Sequence, residues 1–279
     1  MTGDGSPYAA LSEARALNPV LDDRVAANKR RAAALVAVFV ASLSAALWLV
    51  TVVLGEPVLG LAVALLIACL AAAAVYAGSE ALVLTLMGAH PADPVDHARL
   101  HNLVEGLCFA SGLPKPRVCV VEDKALNAFA AGRSPRRAAV GVTTGLLATL
   151  SRVELEAVLA HELTHVKSWD VLVSTMAAAL VGFPASFLPA PTVNGLVDMA
   201  IGDGATGQRR ESEADLGGVA VTRYPPGMIS AMEKLHDDPA ALGSGSRATA
   251  HLWMAPPVPG GEGSASERLD ERIEALREL

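Results

Sequence analysis

The distribution of apolar and polar positions separates an apolar N-terminal part from a mixed remainder. Residues 1–31 are polar and end in the basic cluster Lys29–Arg31, so we expect a poorly ordered tail with some helix near its end. Ala32–Gly55 then carries no charge over 24 residues, and as a helix of about 36 Å it would cross a hydrocarbon core of about 30 Å. Val58–Ser79 is a second uncharged run. Residues 32–88 are therefore predicted to form a transmembrane helical hairpin.

The basic residues predict how this hairpin is oriented. A cleavable signal peptide is the rival interpretation of the first run, but the run is too long and starts too late for one. Lys29–Arg31 abuts the first crossing, whereas the link between the crossings has no Lys or Arg. The positive-inside rule places such an N-terminus in the cytoplasm. We expect a multi-pass protein of the plasma membrane, with the lipid bilayer as a partner and with both the tail 1–31 and a domain 89–279 in the cytoplasm.

In the domain 89–279 the spacing of apolar residues is typical of helices in some segments and of strands in others. Pro94–Ala110 has apolar residues at helical spacing. Val118–Val121, Asn127–Ala130 and Ala138–Thr143 are short β-rich runs, and Gly132–Arg137 reads as the turn between the last two. The pattern predicts a mainly α fold with a small β-sheet, in the α+β class.

One predicted helix carries the strongest chemical signal. His161 and His165 are four residues apart, so on a helix both imidazoles project from one face and can share a metal ion. Glu162 beside them can take a proton from a metal-bound water, and the three residues form the His-Glu-x-x-His arrangement of zincin-type peptidases. Ser151 and Glu154 make a capping box that starts this helix. A chance occurrence on an ordinary helix is the alternative.

A third apolar stretch, Val171–Val197, follows this helix. Any third ligand beyond it must lie on the same side of the membrane as His161 and His165, so the number of crossings between them must be even. Two crossings need about 40 residues, more than the stretch provides. Within 171–203 we therefore expect a buried helix followed by an interfacial or re-entrant segment.

Glu211 and Asp215 are candidates to complete the metal site. Zn²⁺ held by two histidines commonly takes a carboxylate as its third protein ligand and water as the fourth. On a helix Glu211 and Asp215 share a face, so Glu211 suits the ligand role and Asp215 suits a hydrogen bond to a ligand histidine. The alternative is an exposed helix face rich in Arg and Glu.

Two further sets of residues are candidates for contacting a substrate. A peptide can add as a strand to the edge of the small sheet, next to the metal. The residues of that edge are Asn127, Ala128, Phe129 and Ala130. A second donor to the developing oxyanion is usual in such sites. Its candidates are His251, Tyr224 and Arg210.

Composition narrows the class of protein. The 279 residues are 52% hydrophobic and 18% charged, whereas soluble domains carry about 25% charged residues. The net charge of −7 leaves no excess of Lys and Arg to neutralise phosphates. A membrane protein is therefore expected, and a general nucleic-acid binder is not.

Several runs, taken together, resemble the HtpX family of membrane zinc peptidases. They are Leu113–Val118, Asn127–Pro135, Val142–Leu147, Leu155–Lys167, Glu211 with Ala214 and Asp215, and Glu271–Arg277. The resemblance covers nearly the whole chain, including the N-terminal hairpin. It implies a cytoplasm-facing zinc metalloendopeptidase with one Zn²⁺, acting in the quality control of membrane proteins, with protein or peptide substrates. It also implies that His161, His165 and Glu211 are the ligands and Glu162 the catalytic residue.

Two other functions compete with this one. A membrane-anchored zinc-binding scaffold or regulator without peptidase activity would be indicated by loss of Glu162, but Glu162 is present. A protease for prenylated tails would need several more spanning helices around a chamber.

Overall fold

The computed structural model describes residues 7–182, 184, 196–197, 199–200, 205–240, 242–243, 247–255 and 262–279. Its helices and strands are α1 (Pro7–Val53), α2 (Pro57–Leu86), β1 (Ala89–Pro91), α3 (Ala98–Ser111), β2 (Arg117–Val121), β3 (Ala128–Ser134), β4 (Arg137–Thr143), α4 (Thr144–Thr149), α5 (Arg152–Ser168), α6 (Asp170–Ala177) with a π-helical continuation (Ala178–Gly182), α7 (Ala205–Thr222), α8 (Pro225–His236), a 3₁₀ turn (Arg247–Leu252) and α9 (Glu262–Arg277). The predicted α+β class, mostly helical with a small sheet, is confirmed.

Helices α1 and α2 form a hairpin, and each contains a segment long and apolar enough to cross a bilayer. In the most apolar windows only 6% of α1 and 22% of α2 are buried, so their apolar side chains mostly face outward, unlike those of a soluble core helix. The turn uses Gly55 at φ +86°, which glycine adopts without steric cost. Gly60, near the start of α2, lets the helices approach closely, because a Cβ there would lie 2.0 Å from the hydroxyl of Thr51.

The N-terminal tail differs from its prediction. We expected residues 1–31 to be poorly ordered with some helix near the end, but α1 begins at Pro7. Near the end of this extension Asn28 is buried, because its amide donates to the carbonyl of Ser168 and to the carboxylate of Asp170. These two bonds tie α1 to the junction between α5 and α6.

The sheet has the order β1-β2-β4-β3, with β2 and β4 parallel and the other pairs antiparallel. The three predicted strands are present. Strand β3 extends beyond the predicted start of the turn, with an irregularity in pairing between Gly132 and Ser134. Strand β1 was not predicted, since three residues of sequence Ala-His-Pro carry no alternating pattern. Strand β3 lies at one end of the sheet.

Helix α5 crosses the core beneath this sheet. Its capping box is present: the backbone N–H of Ser151 donates to Glu154 at 2.7 Å, and Ser151 Oγ accepts from the backbone N–H of Glu154 at 3.5 Å. The helix packs against β3, β4, α3, α7 and α8. Its apolar side chains Leu155, Val158 and Leu159 are fully buried, and burial of this kind holds the helix in place.

The third apolar stretch begins as expected with a buried helix, α6, which packs against α1 and β3. The interfacial or re-entrant segment predicted within 171–203 falls largely outside the described residues. It therefore stays a prediction.

Candidate metal centre

Helices α5 and α7 bring three potential metal ligands together. His161 and His165 project from one face of α5 with their Nε2 atoms 3.2 Å apart. Glu211 of α7 places Oε2 at 3.4 Å from His161 Nε2 and Oε1 at 3.6 Å from His165 Nε2. One ligand atom from each of the three residues lies within 4.8 Å of the others. The structure thus joins the residues that the sequence named as candidate ligands.

Two carboxylates orient the imidazoles. Asp215 Oδ1 lies 2.7 Å from His161 Nδ1, and Asp170 Oδ2 lies 3.2 Å from His165 Nδ1. Because an ionised carboxylate only accepts hydrogen bonds, each Nδ1 carries the proton and each Nε2 presents a lone pair. The two lone pairs and the carboxylate of Glu211 therefore converge on one point. A cation at that point resolves the repulsion, so these residues fit a metal ion.

The shifted pKa values of His165 and Glu211 show that this pocket favours positive charge. Burial alone would lower the pKa of His165, but Glu211 and Asp170 outweigh it and raise the pKa to about 10. Burial would raise the pKa of Glu211, but His165 and His161 hold it well below its ordinary value. A cation held between these groups takes the place of the protons that they would otherwise bind.

Glu162 lies in the same cavity as the three candidate ligands and is 2% exposed. Burial raises its pKa, opposed by the neighbouring His161 and His165. A raised pKa makes a carboxylate a stronger proton acceptor, as a general base requires. Its position and its pKa direction suit a general base.

Asp170 was not predicted as a site residue. It reaches His165 because Trp169, between α5 and α6, adopts a left-handed conformation with φ 65°, which turns the chain back toward the histidine. The ammonium of Lys29 lies 4.1 Å from the ring centroid of Trp169, and Ser168 Oγ donates to Asp170 at 2.7 Å. The available signal was an acid five residues after His165.

Arg272 of α9 was also missed. It is 6% exposed, and its Nε and one Nη each donate to Asp215 at 2.7 Å. Another Nη lies 3.7 Å from Glu211. The signal was an arginine on the apolar side of the predicted last helix, between Leu269 and Leu276.

The three oxyanion candidates fall in different places. His251 and Arg210 line the cavity with the candidate ligands, and His251 Nε2 lies 3.0 Å from the carbonyl of Ser174. The structure does not bring Tyr224 there. Tyr224 is 51% exposed and precedes α8, beside Gly227 and Val153. The turn from α7 to α8 carries it to the N-terminal end of α5, away from the histidines.

The predicted substrate edge is not open in the structure. Ala130 lines the cavity, as a substrate-binding residue should, but Phe129 pairs with Trp253 in an antiparallel bridge. Asn127 and Ala128 are hydrogen-bonded to residues 254–255 of the same segment. A distant part of the chain therefore covers this edge in the structure, and the role of residues 127–130 in binding a substrate stays a prediction. The cavity beside the candidate ligands has a volume of about 20 Å³, which is room for about one water molecule.

Comparison with known proteins agrees with this arrangement. The model of peptidase family M48 matches residues 94–279. A "Protease HtpX homolog" of Tropheryma whipplei (strain Twist) is 36% identical over 238 residues, covering 73% of this chain and 80% of the relative. A "Protease HtpX homolog" of Streptococcus pneumoniae (strain Hungary19A-6) is 31% identical over 304 residues, covering 93% of this chain and 100% of the relative.

The fold and the site thus define a metallopeptidase with apolar helices that attach it to a membrane. Within peptidase family M48, the chain belongs to the HtpX family. The resemblance noted in the sequence is confirmed.

Proposed function

We propose that this protein is a membrane-anchored, zinc-dependent endopeptidase that hydrolyses peptide bonds of misfolded or membrane proteins on the cytoplasmic side. The observation that carries the proposal is the convergence of His161, His165 and Glu211 beside the buried Glu162 in one cavity. Relatives that are 36% and 31% identical to this chain are named as proteases, which supports hydrolysis over a scaffold role.

The donor set favours zinc among the common metals. Two imidazoles and a carboxylate are usual zinc ligands, with bonds of about 2.0–2.2 Å in a tetrahedron. Such bonds place ligand atoms about 3.3–3.6 Å apart. The observed separations of 3.2, 3.4 and 3.6 Å match that spacing. Mg²⁺ and Ca²⁺ prefer sites made of oxygen alone.

The residues around the site have different roles in the proposed reaction. When bound, Zn²⁺ acidifies water and polarises a peptide carbonyl. Glu162 accepts a proton from the attacking water and passes it to the leaving amine. Asp215 and Asp170 keep the proton of each imidazole on Nδ1, so that Nε2 faces the metal. His251 and Arg210 remain candidates for stabilising the oxyanion.

The cytoplasmic orientation rests on charge. Lys29–Arg31 lies just before the apolar part of α1, and the link to α2 has no basic residue. Asn28 of the same segment is bonded to Ser168 and Asp170, so the metal site lies on the side of the bilayer that these basic residues occupy. A cysteine placed at Glu56 in a protein lacking Cys69 tests this in intact cells. Labelling by an impermeant reagent from outside supports the orientation, and labelling only after lysis contradicts it.

Metal analysis and activity test the enzyme assignment together. The purified full-length protein should contain one zinc per chain and should cleave an unfolded protein. A chelator should abolish cleavage, and added zinc should restore it. A metal-free protein that cleaves at the same rate would contradict the proposal. Substitution of Glu211 by Gln should lower zinc content, whereas Glu213→Gln, two residues along α7, serves as a matched control.

A further inference from the structure

A short segment of the chain covers the edge of β3 next to the metal site. We call residues 252–255 the occluding segment. Trp253 forms an antiparallel bridge with Phe129, and the backbone N–H of Met254 donates to the carbonyl of Ala128 at 2.9 Å. The segment thus lies where a fifth strand would add to the sheet.

Asn127 extends this pairing with its side chain. Its Nδ2 donates to the carbonyl of Ala255 at 2.5 Å, and its Oδ1 accepts from the backbone N–H of Ala255 at 3.1 Å. The side-chain amide therefore pairs with a backbone residue in both directions, as a neighbouring strand would.

The same segment lines the cavity that holds the candidate metal ligands. Leu252, Trp253 and Met254 line it together with His161 and Glu162. All three are less than 9% exposed. A strand cannot pair with β3 where Trp253 and Met254 already do, so a substrate that adds to this edge next to Glu162 must displace the occluding segment.

We propose that the occluding segment is an internal stand-in for the substrate, so that the enzyme is latent until an extended polypeptide displaces it from β3. The proposal rests on the proposed peptidase function. Peptides commonly bind by adding a strand to an exposed sheet edge, and here that edge is taken by the chain itself. The substrate strand replaces the pairing that the segment gives up.

Three features make this exchange feasible. The pairing is short, with a single bridge to β3. The indole N–H of Trp253 is buried without a hydrogen-bond partner among the described residues, which is a cost that the closed state carries. The preceding 3₁₀ turn packs closely against the π-helical segment, since a Cβ at Gly182 would lie 2.8 Å from the carbonyl oxygen of Ala248. The segment can therefore leave β3 while its anchor stays in place.

The contacts of Trp253 also indicate which kind of substrate side chain would take its place. Trp253 packs edge-to-face on Phe129, with ring centroids 5.1 Å apart, in an apolar cluster with Val83 of α2 and with Met87, the residue that follows α2. A displacing strand must refill that space to recover the buried area. The class of substrate is therefore an unfolded polypeptide with a large apolar side chain at this position.

A reversible cross-link tests the proposal. The bridge places residue 127 opposite residue 255, and opposed residues in antiparallel pairs have Cα atoms about 4.5–5.5 Å apart, within the range that a disulfide spans. The double variant Asn127→Cys/Ala255→Cys is made in the full-length, zinc-loaded protein. We expect oxidation to lower cleavage of an unfolded protein at least tenfold and reduction to restore it. Each single-cysteine variant, treated identically, is the control.

A binding measurement separates this proposal from the peptidase assignment. In the double variant combined with Glu162→Gln, a fluorescent peptide with a central tryptophan should bind when the protein is reduced and not when it is oxidised. Binding of equal strength in both states overturns the proposal. Binding confined to the reduced state, without cleavage by the zinc-loaded wild type, supports the occluding segment and contradicts hydrolysis.

A second variant weakens the closed state without a cross-link. Trp253→Ala removes the contact with Phe129 and should raise the affinity of the same peptide several-fold, with zinc content unchanged. Unchanged or weaker affinity in a variant that stays folded overturns the proposal.

Discussion

Replacing Arg272 by Met tests whether the last helix controls the metal site. The guanidinium donates two hydrogen bonds of 2.7 Å to Asp215, and the two side chains are 6% and 2% exposed. Met fills similar space without a charge. Removing one partner of a buried ion pair costs about 3–5 kcal/mol, because the other charge stays buried and unpaired. We expect the thermal unfolding temperature in detergent to fall accordingly.

The same substitution should also weaken metal binding. Asp215 holds His161 Nδ1 at 2.7 Å, and without Arg272 the carboxylate loses the bonds that fix its position. Loss of such a supporting group typically costs about 10–100-fold in metal affinity. Competition with a chelator of known affinity measures this directly. A purely structural role would lower the unfolding temperature but leave the zinc affinity of the folded protein unchanged.

Arg277→Met is the matched control on the same helix. Arg277 donates to Glu233 at 2.7 Å, but the two side chains are 57% and 44% exposed. Exposed pairs contribute about 0–1 kcal/mol, so the control should unfold near the wild-type temperature and bind zinc as the wild type does. If Arg272→Met behaves like this control in both assays, the reasoning about Arg272 is refuted.

Two further predictions concern the ends of α5. Burial raises the pKa of Glu154, but Lys234 and Ser230 lower it to about 2, so its contribution to stability is complete above about pH 4.5 and is lost as pH falls toward 2. Glu154→Gln should lower the free energy of unfolding by about 1 kcal/mol at pH 7. In metal-free protein, the unfolding temperatures of the variant and the wild type should converge as pH falls from about 4.5 toward 2. A constant difference between them would contradict this. Asn28→Ala should lower zinc affinity by up to about tenfold, because Asp170 loses the donor at 2.6 Å but keeps the hydrogen bond from Ser168. An unchanged affinity in chelator competition would show that α1 does not support the site.

Local patterns account for what could be predicted from the sequence. Ser151 and Glu154 start the metal helix through a capping box whose spacing is a property of any helix. The four-residue spacing of His161 and His165 places both on one face for the same reason. Glu211 followed by Asp215 one turn later could be recognised as a ligand with its supporting acid, and the structure brings them to the histidines.

The features that were missed depend on contacts between distant parts of the chain. Arg272 reaches Asp215 across 57 positions, and no periodicity predicts which buried acid an arginine will meet. Asp170 depends on the left-handed backbone of Trp169, which is uncommon outside glycine. The covered edge of β3 depends on Trp253, more than a hundred positions away in the chain. Each is set by tertiary packing rather than by local propensity.

Comparison of the wild type with Glu162→Gln tests the central claim most directly. Gln keeps the size of the side chain but cannot accept a proton, so the variant should bind one zinc per chain with an affinity close to that of the wild type. The wild type should cleave an unfolded protein in a chelator-sensitive reaction, and the variant should be slower by about 10²–10⁴-fold, as expected for loss of a general base. Equal cleavage by the two zinc-loaded proteins, or no cleavage by either, would contradict the account.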